Sequence, residues 1–340
     1  VATAVPEHRV PQDDVVRHAS RIFRENPAAV ARMTPIYGNA GVVQRFSCVP
    51  ADWYEADHRW SQRNRLYVDN AVKLLATATE RCLLRAGRNL DEIDGVVMVS
   101  TTGVATPSLD ALLVDRLALR RNVQRLPIFG LGCAGGVIGL SRAAAMAKAE
   151  PASLILFVVC ELCGLTFRRN DQTNSNIVAT ALFGDGAAAV LIGCAGDGPA
   201  LTAGGEHTWP DSLQVMGWGV EDDGFRVIFS PDIPALIRAG FRSALDGFLE
   251  AHRLRFAEID TFLCHPGGAK VLDALEDVLA LPRGHLVHSR GILRDFGNMS
   301  AATVLFVLER ALAERAAGRC ALLSALGPGF TVGFQILQSP

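Results

Sequence analysis

Short apolar runs and longer amphipathic or apolar-rich blocks alternate along the chain, which reads as strand and helix in turn. A strand near Val1–Val5 leads to helical segments at Asp13–Asn26 and Leu66–Ala86. E-I-D-G-V-V-M-V-S follows, with Ile93 leading a buried strand, then a helix over Ser108–Leu119 and a strand at Ile128. A Gly-rich turn around Cys133 opens an Ala-rich helix to about Lys148, and strands follow at Leu154–Cys160 and in F-G-D-G-A-A-A-V-L-I-G, Phe183–Gly193. The second half repeats this order. A strand near Leu201 precedes a helix over Ile233–His252, then E-I-D-T-F-L-C-H-P-G-G, with Ile259 leading its strand. A helix over Lys270–Leu279, a strand near Leu286 and a helix opening with G-N-M-S-A-A-T come next. Cys320–Leu326 and Phe330–Leu337 are the closing strands.

The spacing makes this a duplication. Ile93 to Cys133 is 40 positions and Ile259 to Asn298 is 39, so Cys133 and Asn298 head equivalent helices. Both helices are poor in charge near their starts, the second from Asn298 to Leu308 without a break. Helices apolar nearly all round are buried on several sides, which predicts the pair packed between two sheets. The linker G-C-A-G-D-G-P divides the chain into halves 1–196 and 197–340, both α/β.

Composition narrows the class. Of 340 residues 49% are hydrophobic, enough for a large core, and a net charge of −2 gives no reason to expect nucleic-acid or anionic-membrane binding. The eight cysteines lack metal-type pairs; Cys160 and Cys163 form one C-x-x-C without a second, so neither zinc nor redox chemistry is indicated. Such cysteines suit a reduced, cytoplasmic setting. No apolar stretch reaches membrane-spanning length, and no secretory signal is visible, although the chain starts at Val1 rather than Met.

Three polar residues converge under the repeat. Cys133 lies at one helix start, where unpaired N–H groups favour a thiolate; Asn298 lies at the other; His265 ends the strand over Thr261–Cys264. Singly, each has a bland reading: a packed cysteine, a satisfied strand-end histidine, an N-cap that Ser300 could equally supply. Jointly they point at one cleft beyond the carboxyl ends of strands.

L-G-C-A-G-G, C-H-P-G-G, G-N-M-S-A-A-T and A-L-F-G-D-G-A-A-A-V-L resemble the type III polyketide synthases, the chalcone and stilbene synthase family. L-G-P-G at Leu326–Gly329 is similar to the family's G-F-G-P-G loop, with Leu326 replacing phenylalanine. The resemblance implies the thiolase fold, a duplicated αβαβα sandwich. It also implies a homodimer acting on acyl-CoA and malonyl-CoA, with no metal or organic cofactor. It makes Cys133 the acyl-carrying nucleophile, activated as a thiolate–imidazolium pair with His265. His265 and Asn298 then stabilise the enolate left when malonyl-CoA loses CO₂, and Phe183 walls the departing CO₂. Val227 stands where the family has a second phenylalanine, a place Phe225 or Phe229 could partly fill. Thr106, Cys163, Thr166 and Ser300 would line the acyl cavity, Lys270 would contact CoA phosphates, and Arg45 would line the CoA entrance. M-G-W-G-V-E-D-D-G-F-R-V is most similar to bacterial alkylpyrone and alkylresorcinol synthases, and small residues at 106, 163 and 227 imply a medium or long fatty acyl starter. Three other readings compete. An initiating β-ketoacyl carrier-protein synthase shares fold and triad but lacks H-P-G-G. A papain-like cysteine protease has the same residue order without its local signature. A non-catalytic acyl-binding scaffold is the third.

Overall fold

A computed structural model describes residues 1–339. The chain opens with β1 (Ala2–Ala4), β2 (His8–Pro11), α1 (Gln12–Ile22), α2 (Pro27–Gly38) and β3 (Gln44–Ser47). The first half continues with α3 (Trp60–Ala86), β4 (Gly95–Val99), α4 (Leu109–Arg116), β5 (Gln124–Ile128), α5 (Gly135–Ala149), β6 (Ile155–Leu162), α6 (Asn174–Leu182) and β7 (Asp185–Ile192). The second half contains β8 (Ala200–Thr208), β9 (Met216–Glu221), β10 (Gly224–Phe229), α7 (Ile233–Ala251), β11 (Thr261–Cys264), α8 (Ala269–Val278), α9 (Val287–Phe296), α10 (Thr303–Ala313), β12 (Cys320–Gly327) and β13 (Thr331–Gln338).

Two sheets carry the molecule, in the strand orders β1-β7-β6-β4-β5 and β11-β12-β13-β8. β4 is parallel to β5 and β6, β11 is parallel to β12, and β7 and β13 run antiparallel to their neighbours. Three apolar cores separate the layers. One joins α3 and α4 to the outer face of the first sheet, one joins α7 and α8 to the second, and the third holds α5 and α10 between the sheets. The layers therefore run α-β-α-β-α, as the resemblance implied. The central helices meet backbone to backbone: a Cβ at Gly136 would strike the carbonyl oxygen of Ala301 and come 2.6 Å from Val304 Cγ1. This close crossing places the starts of both helices, and so residues 133 and 298, side by side.

One expected strand is absent. Leu286 sits in a turn before α9 rather than in a strand, leaving the second sheet with four strands against five in the first. The buried carboxylate of Glu276 takes the N–H groups of Gly284 (2.9 Å) and Leu286 (3.1 Å), so this backbone has no need of a ladder. The sequence reading also lacks α2 and the β9–β10 hairpin, whose Asp222–Asp223 loop joins two six-residue strands. Among the described residues no helix is long and apolar enough to cross a membrane.

Candidate active site

Cys133 lies in a single 3₁₀ turn, Gly132–Ala134, that runs into α5, and it is buried. The L-G-P-G loop explains itself here. A Cβ on Gly132 would lie 2.5 Å from Pro328 Cδ, and one on Gly327 would lie 2.7 Å from the Ala134 nitrogen. Glycine at both places lets the loop after β12 lie directly on the nucleophile turn. The Leu326 that replaces phenylalanine lines the cavity in front of the thiol.

His265 directly follows β11, its own N–H donating to the Ser324 carbonyl (2.8 Å). Its imidazole is buried, and neither ring nitrogen has a hydrogen-bond partner among the described residues. Asn298 belongs to neither α9 nor α10. Its backbone forms an isolated parallel bridge with Phe183: Asn298 N–H donates to Leu182 O (2.7 Å), and Gly184 N–H donates to Asn298 O (3.0 Å). The side-chain oxygen accepts from Ser300 N–H (2.8 Å), and Nδ2 donates to Gly267 O (3.2 Å). A primary amide has two N–H donors, so one is left over. Cys133, His265 and Asn298 share a cavity of about 1630 Å³, including its open mouth, with Leu182, Met216, Phe229 and Lys270 also on its wall. A thiol beside two donors without competing partners can carry an acyl group and hold an oxygen on which negative charge develops.

Burial sets the electrostatics of the pair. Burial pushes the Cys133 thiol up to about 12, against the helping hydrogen bonds of Ser300 and Asn298 and with the Glu161 carboxylate adding to the rise. Burial also drives His265 down to about 3. Burial thus works against both charges, so a thiolate–imidazolium pair has to be held against the desolvation of each partner.

The remaining expected residues divide. Cys163, Thr166, Val227 and Phe183 do line one cavity, of about 750 Å³ including its mouth. Phe183 lines this second cavity and not the catalytic one, and its ring lies 5.7 Å from that of Phe229, which does line the catalytic cavity. Ser300 is not on that wall; it lies beside Cys133 and Asn298 with an unusual positive φ of 47°. Thr106 is exposed in the loop after β4 and lines neither cavity of its own chain, because this stretch of the loop lies on the protein surface. Of the two candidates to replace the missing phenylalanine, Phe229 reaches the catalytic cavity, whereas Phe225 packs on Trp60 (4.9 Å) and Trp218 (5.9 Å). Lys270 is exposed at the start of α8 on the rim. Arg45 is not a surface residue at a CoA entrance: it is 5% exposed and sits on the wall of the second cavity.

Sequence reasoning passed over Glu161. It is fully buried on β6, where its carboxylate accepts from Thr101 N–H (3.0 Å), Thr101 Oγ1 (2.8 Å) and Thr102 Oγ1 (2.8 Å). Burial raises it to about 7 despite these bonds. The available signal was a lone glutamate inside the otherwise apolar run I-L-F-V-V-C-E-L, since a charge in a buried strand needs partners.

Comparison with known proteins agrees with this architecture. Residues 1–196 match the chalcone and stilbene synthases' N-terminal domain, and residues 201–339 match the C-terminal domain of the same family. A 1,3,6,8-tetrahydroxynaphthalene synthase of Streptomyces peucetius subsp. caesius is 39% identical, over 99% of this chain and 92% of that protein. A 3,5-dihydroxyphenylacetyl-CoA synthase of Streptomyces toyocaensis is 34% identical, over 79% and 72%. The crystal structure of the 1,3,6,8-tetrahydroxynaphthalene synthase of Streptomyces coelicolor A3(2), a bacterial type III polyketide synthase, superposes with a TM-score of 0.94 at 27% identity, covering 99% of this chain and 97% of that one. The fold is that of a condensing acyltransferase of the thiolase type. The chain belongs to the chalcone and stilbene synthase family, the type III polyketide synthases, which use CoA thioesters as substrates and need no cofactor.

Proposed function

We propose that this polyketide synthase loads a medium- or long-chain fatty acyl group from its CoA thioester onto Cys133 and extends it with malonyl-CoA, closing the product to an alkylpyrone or alkylresorcinol. The observation that supports the starter is the second cavity lined by Phe183, whose wall includes Val10, Val15, Ala19, Ile22 and Val227 beside the polar Arg45, Tyr54 and Asp185. An apolar chain gains about 0.8 kcal/mol per buried methylene, enough to select length. In the chemistry, neutral His265 takes the Cys133 proton as the thiol attacks the acyl thioester and returns it to the departing sulfur, so CoA leaves as the thiol and His265 is neutral again. Malonyl-CoA then loses CO₂ beside Phe183. The enolate oxygen is held by the His265 N–H and the spare Asn298 N–H, and the enolate carbon attacks the Cys133 thioester. Lys270 on the rim meets CoA phosphate.

The relatives named for 1,3,6,8-tetrahydroxynaphthalene favour a second reading, an aromatic product. Incubation with malonyl-CoA alone and with a graded series of acyl-CoAs, products read by mass spectrometry, separates the two. Alkyl products whose yield rises with chain length support the first. An aromatic product from malonyl-CoA alone, with acyl-CoAs ignored, overturns it.

A homodimer is proposed from the free edge of the first sheet. β5 is exposed over most of its length, and Phe129 (58% exposed) and Val104 (46%) stand near it. An edge strand with exposed apolar neighbours is a pairing surface. Thr106, in the loop beside that edge, would then serve the partner's cavity.

A further inference from the structure

Arg45 is a buried guanidinium on β3 with no carboxylate at ion-pair distance among the described residues. All its recorded hydrogen bonds go to neutral oxygens. Nη1 donates to Thr180 O (2.7 Å) and Phe183 O (3.0 Å); Nη2 donates to Ala181 O (2.8 Å) and to the Gln12 side-chain oxygen. Gln12 in turn donates to Ala181 O (3.2 Å). Burying a charge against neutral acceptors is costly, and an ordinary helix end needs no such device.

The acceptors are what make the arrangement informative. They belong to the C-terminal turn of α6 and the residue after it, where a helix leaves carbonyls without internal partners. Of the carbonyls at 180, 181, 182 and 183, Arg45 takes three, and the fourth, Leu182 O, takes the N–H of Asn298. A planar fork can hold several acceptors at once, and a cation suits the negative end of a helix. Asn298 has no helix of its own to fix it. It follows Gly297, at φ 71°, and its backbone is located by the bridge to 182–184.

We propose that Arg45 is a positioning residue for the enolate-stabilising amide of Asn298, acting through the carbonyls of 180–183 and the Phe183–Asn298 bridge. The inference rests on the enolate role assigned to Asn298 above. It also places Phe183, on the same clamped segment, under the control of Arg45.

The test uses full-length Arg45→Lys. Lysine keeps the charge on one nitrogen, which cannot span these acceptors. Malonyl-CoA decarboxylation without starter is expected to lose about tenfold or more in kcat, since small misplacements of a catalytic group are costly. KM for malonyl-CoA and the rate of Cys133 acylation, followed by mass spectrometry, stay at wild-type values. Decarboxylation and acylation falling together, or neither falling, overturns the proposal. If circular dichroism shows Arg45→Lys unfolded, Gln12→Ala, which loosens the same guanidinium from outside the cavity, decides by the same split, with a smaller loss. Asn298→Asp is run in parallel. Decarboxylation retained there sinks the Asn298 assignment and this inference with it; decarboxylation lost there but kept in Arg45→Lys sinks the inference alone.

Discussion

At Asn298 the amide oxygen is tied to the Ser300 N–H and one amide N–H to Gly267 O, which fixes which end faces the cavity. A carboxylate in its place would face the Gly267 carbonyl and a developing enolate with no donor for either. Asn298→Asp is therefore expected to lose malonyl decarboxylation by on the order of a hundredfold or more, with Cys133 acylation much less affected. Cys133→Ala should show the converse, no acyl loading in the mass spectrum. Glu161 supports a thermodynamic prediction. Its folded value, about 7, lies above the ordinary 4.5, so folding favours the protonated form. The associated stability is complete below pH 4.5 and disappears as pH rises to about 7, a change of roughly 3 kcal/mol. Asp185, raised to about 6, runs the same way, and His265, lowered to about 3, runs oppositely. The difference between wild type and Glu161→Gln isolates one group. Urea unfolding at pH 4.5 and 7 should show that difference shifting in favour of the variant as pH rises; a constant difference would mean Glu161 keeps an ordinary pKa.

At the scale of elements, two contacts govern the site. The first is the crossing of α5 and α10 at Gly136. The methyl of Gly136→Ala has only the Ala301 carbonyl and Val304 to meet, so the helices must separate. A loss of about 1–3 kcal/mol in chemical denaturation is expected, the usual cost of overpacking. Activity should fall with it, because this crossing sets Cys133 beside Asn298. The second is the short 3₁₀ turn Cys163–Thr166 at the end of β6, which presents Cys163 and Thr166 to the second cavity. Cys163→Phe should fill that cavity and shift kcat/KM toward short acyl-CoAs without removing acylation by acetyl- or hexanoyl-CoA. An unchanged chain-length profile would place Cys163 in core packing only and remove the fatty acyl reading.

For the whole molecule, the exposed edge strand is the feature that a second copy would cover. Leu126→Glu places a charge on β5 and is expected to turn a dimer into monomers in sedimentation equilibrium. If wild type itself sediments as a monomer at micromolar concentration, the dimer proposal fails, and Thr106 has no cavity to serve.

Most of the architecture was legible because it follows from local rules. The period of the apolar runs, the spacing of 40 against 39 residues and the charge-poor helix starts were enough to place Cys133, His265 and Asn298 at equivalent ends. The strand expected near Leu286 failed because a distant carboxylate, Glu276, satisfies that backbone, and no local pattern records such a partner. The same limit hid Glu161, gave Arg45 the wrong surroundings and left Phe225 and Phe229 undistinguished. A glutamate in an apolar strand announces a need for partners, but only the fold supplies Thr101 and Thr102. An arginine in a short strand resembles a surface cation until the carbonyls of α6 close on it. The desolvation of the nucleophile is also a property of tertiary structure. From sequence, a cysteine at a helix start next to a histidine predicts an ion pair, whereas burial of both groups in the fold pushes against each charge. Sequence by itself thus determined which residues meet, through periodicity and repetition; tertiary structure decided how far each is desolvated and what holds it, because burial and long-range partners are properties of the packed chain.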